Sequence, residues 1–440
     1  MDLTTSQSEA ADKIQAVRFR GIAYHKAGEG KTRISLELWR RSGFNYLIVV
    51  TRKAAMEDWQ DEIKRCLPNV FVLQGEKVKE EHLRFKFVVL IGVDSIHKLS
   101  DWIPLGQSLV VLDELYLFSN SKSLRSKRAH RISVKALGSV GLSATIVPAQ
   151  DNIALWGQTL AVGLSSVLAK TATQFREVYQ INTFSAFSKH GQWSNKPGSI
   201  DLILQKLSPY IHLHYPKNEH RNIRQSILHT RLSSEQTKAI ELLKETWCKG
   251  TKELEYIIEV AQEIQRIGNG YSEHEKGNLT CYKCPKLGRL LELIDELLAA
   301  GKSCVIWCAF RDDIEYLSLH ITYPHLVFVG GTEFDSATWK EGNHKVVLAT
   351  MANGASVNHF KHVEYGIYYS LNFKAVDLQQ SQGRHERKGS LHAGAFYYYL
   401  LNREGLDQTI YDTVNASRNV EVTAIQTYLN NHNSTDTKLG

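Results

Sequence analysis

Short apolar runs recur along this chain with helix-patterned stretches between them, and that rhythm confines it to an α/β fold on parallel sheets. In the first third the runs are Tyr46–Thr51 (YLIVVT), Phe87–Gly92 (FVVLIG), Leu109–Leu112 (LVVL) and Val140–Ser143 (VGLS). They return at Cys304–Cys308 (CVIWC), Leu326–Val329 (LVFV), Lys345–Ala349 (KVVLA), Tyr365–Tyr369 (YGIYY) and Ala395–Leu401 (AFYYYLL). From Ala161 to Cys284 the texture changes. Apolar residues there keep helical spacing, as at Ile240, Leu243, Leu254, Ile257, Ile258, Ala261 and Ile264, and strand-like runs nearly vanish. The expected organisation is a first α/β lobe over 1–160, a mostly helical segment over 161–284, and a second α/β lobe over 285–440 ending in a polar tail.

A chain of 440 residues is too long for one hydrophobic core. With 43% apolar and 22% charged residues, extended disorder and collagen-like repeats are excluded. The 53 Lys and Arg against 46 Asp and Glu leave a net charge of +7, which permits a polyanionic partner without requiring one. Six scattered cysteines make no disulfide framework. Neither a secretory signal nor an apolar stretch of membrane-spanning length is visible, so a cytoplasmic, membrane-free protein is expected.

The sharpest local pattern is Ala27-Gly28-Glu29-Gly30-Lys31-Thr32, placed after the apolar segment Gly21–Tyr24 and before a helical stretch. Glycines let backbone N–H groups close around phosphate oxygens, and the following helix adds the positive end of its dipole. Lys31 would reach the β/γ-phosphates and Thr32 would offer its hydroxyl to Mg²⁺. The full pattern G-x4-G-K-[ST] asks for glycine at position 25, where this chain has His25. Alone, such a turn can also be a helix cap. About 80 residues on, Asp113-Glu114 follows the run Leu109–Leu112, which puts two acids at the C-terminal end of a buried strand, the edge where open parallel sheets bind ligands. Asp113 would hold Mg²⁺ and Glu114 would orient the water that attacks the γ-phosphate of ATP. In the second lobe, Gln380-Ser381-Gln382-Gly383-Arg384-His385-Glu386-Arg387 fits Q-x-x-G-R-x-x-R. Its two arginines, three apart, share a helical face and can neutralise charge on a transferring phosphate.

These motifs resemble superfamily 2 helicases and translocases, specifically the SNF2-like branch, and the resemblance runs in order over nearly the whole chain. AGEGKT is similar to the first motif, Asp113-Glu114-Leu115-Tyr116 to a DExx box, and Gly141-Leu142-Ser143-Ala144-Thr145 to the third motif. Pro148, Asn152 and Trp156 resemble a branch pattern, as do Leu207–Ile211, Leu232–Gln236 and Cys284-Pro285-Lys286-Leu287. Ala349–Gly354 resembles motif V, and Gln380–Arg387 resembles motif VI. The resemblance implies two RecA-like lobes with parallel sheets and an ATP- and Mg²⁺-dependent enzyme. It implies nucleotide contacts at Gln7 (adenine), Gly28, Gly30, Lys31, Thr32 and Gln380, and catalytic roles for Lys31, Asp113, Glu114, Arg384 and Arg387. It also implies backbone contacts from Thr51, Arg52 and Thr350 to a tracked strand, and coupling through Ser143 and Thr145. His25, Lys26 and Tyr116 depart from the branch pattern, and His212 and His214 lie where an arginine pair is often found.

The expected function is an ATP-dependent DNA motor acting as a monomer, with forked or branched DNA as its partner, in replication, recombination or repair. The compact size resembles small phage or bacterial helicases. The rivals are an RNA helicase and an ATP-gated clamp that does not turn over. Cys281-x-x-Cys284 is one cysteine pair where structural zinc needs two. The basic run Lys122–Arg131 is a further candidate for DNA contact, with a solvated loop as its alternative, and Phe396–Tyr399 reads as an interior strand.

Overall fold

The computed structural model describes the chain except residues 1, 27, 145–150, 184–191, 215–221, 250–253, 276–277, 330–334, 336–337, 340–344, 355–359, 361–362, 386–393 and 417–440. The chain forms two compact units, Met1–Lys217 and Asn218–Gly440. Residues 161–217 therefore belong to the first unit and residues 218–284 to the second.

In the first unit the strands are β1 (Arg20–His25), β2 (Tyr46–Thr51), β3 (Phe71–Gln74), β4 (Phe87–Gly92), β5 (Ser108–Asp113), β6 (Gly138–Ser143), β7 (Gln180–Thr183), β8 (Gln192–Asn195) and β9 (Ile211–His214). Seven of them form one sheet in the order β3-β4-β2-β5-β6-β1-β9, and every neighbouring pair is parallel. β7 and β8 make a separate antiparallel hairpin. Because strand side chains alternate, Ile48 and Val50 of β2 enter one core with Tyr24, Leu112 and Leu155, while Leu47 and Val49 enter another with Ile34, Leu36 and Trp59. The sheet is thus covered on both faces.

The second unit contains β10 (Asn222–Thr230), β11 (Tyr271–Glu275), β12 (Asn278–Cys281), β13 (Cys304–Cys308), β14 (His325–Phe328), β15 (Val346–Thr350), β16 (Tyr365–Tyr368) and β17 (Gly394–Asn402). Six of these make a second all-parallel sheet in the order β10-β17-β16-β13-β15-β14. Val305, Trp307 and Tyr399 face one core; Cys304, Ile306 and Cys308 face the other, against Leu290, Leu293 and Ile294 of the helix Pro285–Ala299. Two parallel-sheet α/β units agree with the expected fold class. The segment expected to be mostly helical holds the helices Ser234–Lys249 and Leu254–Asn269, and also β7 to β12.

The residues likened to branch landmarks mostly build packing. Asn152 is buried and donates through Nδ2 to Ser199 Oγ at 2.6 Å, and Trp156 Nε1 donates to Ala169 O at 3.0 Å. Buried Lys286 donates to Asn269 Oδ1 at 2.9 Å and Asp407 Oδ2 at 2.8 Å, so its charge is fully paired inside the second unit. Pro148 lies outside the described residues.

Gly157, on the helix Asn152–Ala161, permits a backbone approach that no side chain would allow: a Cβ there would collide with the Ser119 carbonyl oxygen. Gly157→Ala should destabilise the first unit by about 3 kcal/mol, because a peptide group yields less easily than a side-chain tip. Urea denaturation of the variant checks this; an unchanged midpoint would mean that the helix shifts freely.

Candidate nucleotide site

A parallel sheet points all its strand C-termini to one edge, and in the first unit that edge collects the chemistry. β2 ends at Thr51, β5 at Asp113, β6 at Ser143 and β1 at His25, on four adjacent strands. Registers place Asp113 beside Leu142 and Tyr24 beside Ser143. After β1 the chain turns through Gly28 (φ 84°) and Gly30 (φ 71°) into the helix Lys31–Ser42. Both glycines are left-handed, a conformation that costs little only without a β-carbon. A Cβ at Gly30 would also collide with Gln7 Nε2.

Gln7 is buried on the helix Thr5–Ala16 and closes a capping box with Thr4. Its Nε2 donates to Glu29 O at 3.0 Å, so it braces the loop from outside. Lys31 Nζ donates to His25 O at 3.0 Å, and Thr32 follows in the first helical turn. Open glycine backbone, an ammonium group and a helix N-terminus suit a di- or triphosphate.

Asp113 is held from three sides. Its Oδ2 accepts from Thr51 Oγ1 at 2.8 Å and from Trp59 Nε1 at 2.9 Å, and its Oδ1 accepts from the Glu114 amide at 3.0 Å. Glu114 itself sits at φ 51°, ψ 57°, left-handed backbone that a glutamate rarely adopts and that functional sites commonly retain. Thr51 is buried, its hydroxyl directed to Asp113. Beside it, the Arg52 guanidinium hydrogen-bonds the Tyr116 hydroxyl and lies 5.8 Å from that ring's centroid. The site thus joins Gln7, Gly28, Gly30, Lys31, Thr32, Thr51, Arg52, Asp113, Glu114 and Ser143 on one edge of one unit.

Among the described residues no group of three or more His, Cys, Asp or Glu side chains is arranged to hold a metal ion. Mg²⁺ needs no such group. It takes one or two carboxylates, a hydroxyl, waters and phosphate oxygens, and the carboxylate of Asp113 and the hydroxyl of Thr32 are donors of those kinds.

His25, in the position where the phosphate-loop pattern asks for glycine, anchors a histidine cluster with β9. His25 Nε2 and His212 Nδ1 share a hydrogen bond of 2.8 Å, and the His25 and His214 rings lie 5.3 Å apart. His214 Nε2 is 3.5 Å from Glu29 Oε2 in the loop, and His212 Nε2 is 3.8 Å from Glu9 Oε2. Burial, then His212, His214 and Lys31, push the pKa of His25 down to about 3. Burial, with Lys13 next, also lowers that of His212.

An unfolded histidine binds a proton near pH 6.5 and the folded His25 does not, so stability is fully present above that pH and is lost as pH falls from about 6.5 toward 3. The unfolding free energy of the first unit, from urea titrations, should therefore drop between pH 7.5 and 5.5, with a slope approaching ~1.4 kcal/mol per pH unit for one proton. His25→Gln should flatten that slope. An unchanged slope in the variant would assign the loss to other groups.

The second unit's motif residues lie on two elements. Thr350 ends β15, and the helix Ala375–His385 carries Gln380 and Arg384, both buried. His385 fixes the end of that helix: it hydrogen-bonds Trp307 Nε1 at 3.2 Å through Nε2 and Val363 O at 2.8 Å through Nδ1. Arg387 and Thr145 lie outside the described residues. The basic run Lys122–Arg131 opens the helix Leu124–Lys135, capped by Ser123, with Arg125 Nη1 3.3 Å from Asp94 Oδ1. No sequence motif marks Trp59 or the pairing of Arg52 with Tyr116. The available signal for Trp59 is a lone indole, four residues before Ile63, in an otherwise charged helix.

Residues 1–147 match the family described as type III restriction enzyme, res subunit. The African swine fever virus protein QP509L, which carries an ATP-dependent RNA helicase name, is 26% identical over 210 residues, 45% of this chain. That match spans 38% of the viral protein's length. The Sulfolobus solfataricus SWI2/SNF2 ATPase core in complex with dsDNA aligns over 94% of this chain and 91% of its own, at 14% identity and a TM-score of 0.43.

Proposed function

We propose that this chain, a superfamily 2 protein of the helicase type, hydrolyses ATP to drive movement along DNA. The observation that carries the reading is the single sheet edge on which the glycine loop with Lys31, the Asp113–Glu114 pair and Arg52 converge. Lys31 and the loop amides hold the phosphates, Gln7 is assigned to adenine, and Glu114 orients water. When bound by Asp113 and Thr32, Mg²⁺ would neutralise phosphate charge and polarise the bond to be broken. Arg384 and Arg387 are assigned to the charge of the transferring phosphate and Gln380 to nucleotide contact. Arg52 and Thr350, with Thr51 behind, are assigned to a sequence-blind grip on backbone phosphates, and Ser143 and Thr145 to coupling that grip to hydrolysis.

The SNF2-like landmarks favour DNA, and forked or branched duplex over tailed duplex, with roles in replication, recombination or repair. A branch lets base pairs lost ahead be regained behind, each step worth about 1.4 kcal/mol of stacking. We assign the element that meets the junction to segment 161–284, and expect a cytoplasmic monomer; among the described residues no helix is long and apolar enough to cross a membrane. The RNA helicase name of the viral relative supports the second reading, an RNA substrate. Phosphate release measured with no nucleic acid, DNA and RNA separates them: DNA stimulation supports the first, RNA stimulation alone the second, and no turnover under any condition a clamp. Binding to DNA should weaken steeply with salt, as phosphate contacts release counterions; salt-independent binding would contradict a backbone grip.

A further inference from the structure

We infer that Trp59 is a positioning residue of the nucleotide site: together with Thr51 it occupies one oxygen of the Asp113 carboxylate and so presents the other to the cation. The inference rests on the reading of Asp113 as a magnesium ligand and deepens it.

A carboxylate offers about four acceptor sites, two on each oxygen. Oδ2 has both filled, by the Thr51 hydroxyl at 2.8 Å and the Trp59 indole N–H at 2.9 Å. Oδ1 accepts the Glu114 amide at 3.0 Å, which leaves it one site, and a lone pair on Oδ1 is where a cation can be met. Rotating the carboxylate would break all three bonds at once. The donors are themselves immobile: Thr51 is fully buried at the end of a strand, and Trp59 is 3% exposed in the core that also holds Ile34 and Leu36 of the phosphate-loop helix.

The helix that carries Trp59, Met56–Cys66, is otherwise largely charged, and its buried residues are Trp59 and Ile63. One turn beyond Trp59, Glu62 Oε1 accepts from Arg33 Nε at 2.7 Å, and Arg33 belongs to the phosphate-loop helix. The same short helix therefore braces the carboxylate through an indole and the phosphate loop through a glutamate. A tryptophan serving only as filler would be replaced by phenylalanine with little consequence for the cation. One that holds the carboxylate would not, because phenylalanine retains most of the ring and loses the N–H.

The test is equilibrium binding of Mn²⁺ in the presence of ADP, followed by the electron paramagnetic resonance of free Mn²⁺, which needs no turnover. Trp59→Phe should weaken Mn²⁺ about 10-fold, the lower end of the effect of losing an outer-shell partner of a metal ligand, while circular dichroism stays native. In ATPase assays its Mg²⁺ requirement should rise while kcat at saturating Mg²⁺ changes less than about threefold. Thr51→Val, which removes the other donor to the same oxygen, should weaken Mn²⁺ similarly and keeps the question answerable if Trp59→Phe does not fold. Asp113→Asn provides the reference. If it abolishes Mn²⁺ binding while Trp59→Phe and Thr51→Val bind within twofold of wild type, the positioning role is overturned and the site stands. If Asp113→Asn binds Mn²⁺ normally, the reading of Asp113 as a ligand falls, and the inference with it.

Discussion

Lys31→Ala should reduce ATP turnover by about 10³-fold or more while leaving DNA affinity within a few-fold of wild type. The ammonium is held at the mouth of the phosphate loop by the His25 carbonyl at 3.0 Å, ahead of a helix whose first residue it is. On the proposed reading this preorganised charge lies at the transferring phosphate, and its loss removes a transition-state interaction of several kcal/mol. The contacts proposed for DNA, at Arg52 and Thr350, arise from other strand ends and should be untouched. Phosphate release and salt-titrated DNA binding on the same preparation check both halves. Turnover near wild type would remove Lys31 from the nucleotide site.

Glu114→Gln should bind ATP and stall, with turnover down about 10²- to 10⁴-fold, the range for loss of a positioned proton acceptor. The glutamate occupies left-handed backbone at φ 51°, a cost of about 1 kcal/mol that the surrounding strand end and the turn Leu115–Phe118 impose. Glutamine has the same β-carbon and so meets the same cost, and thermal stability should stay within about 0.5 kcal/mol of wild type. A stable variant that holds nucleotide without releasing phosphate isolates the charge as the missing element. Retained turnover would assign the orientation of water to another group.

How much of this was legible in the sequence follows from where each element lies in its sheet. Interior strands such as β2, β4 and β13 are covered on both faces and stand in the sequence as unbroken apolar runs with the observed boundaries. β3, β9 and β10 are sheet edges. β10 is exposed along most of its length, β3 at both ends, and β9 buries Ile211 alone, so none stands out as a long apolar run. The loop glycines and the acidic pair were legible because phosphate and cation chemistry restricts residue type and spacing. Trp59 was not. Its contact with Asp113 joins residues 54 positions apart in the chain, and an indole among charges reads as an ordinary core anchor. The resemblance implies a strand contact for Thr51, and its hydroxyl turns to Asp113, a direction that no sequence pattern sets.

β9 carries a consequence for how the chain comes into being. It is the last strand of the first sheet in sequence, yet it pairs with β1, the first. Until Ile211–His214 has been synthesised, β1 keeps an unpaired edge, and the core around Tyr24 lacks Tyr179, Ile203, Leu207 and Ile211. A nascent chain paused near residue 160 would therefore present an open strand and an incomplete hydrophobic face, the condition under which partly made domains associate wrongly. Once His214 has emerged, the whole first unit can close while the second is still being made, because each unit is a single continuous stretch of chain. Split expression is thus best attempted after β9, at the boundary between the two units.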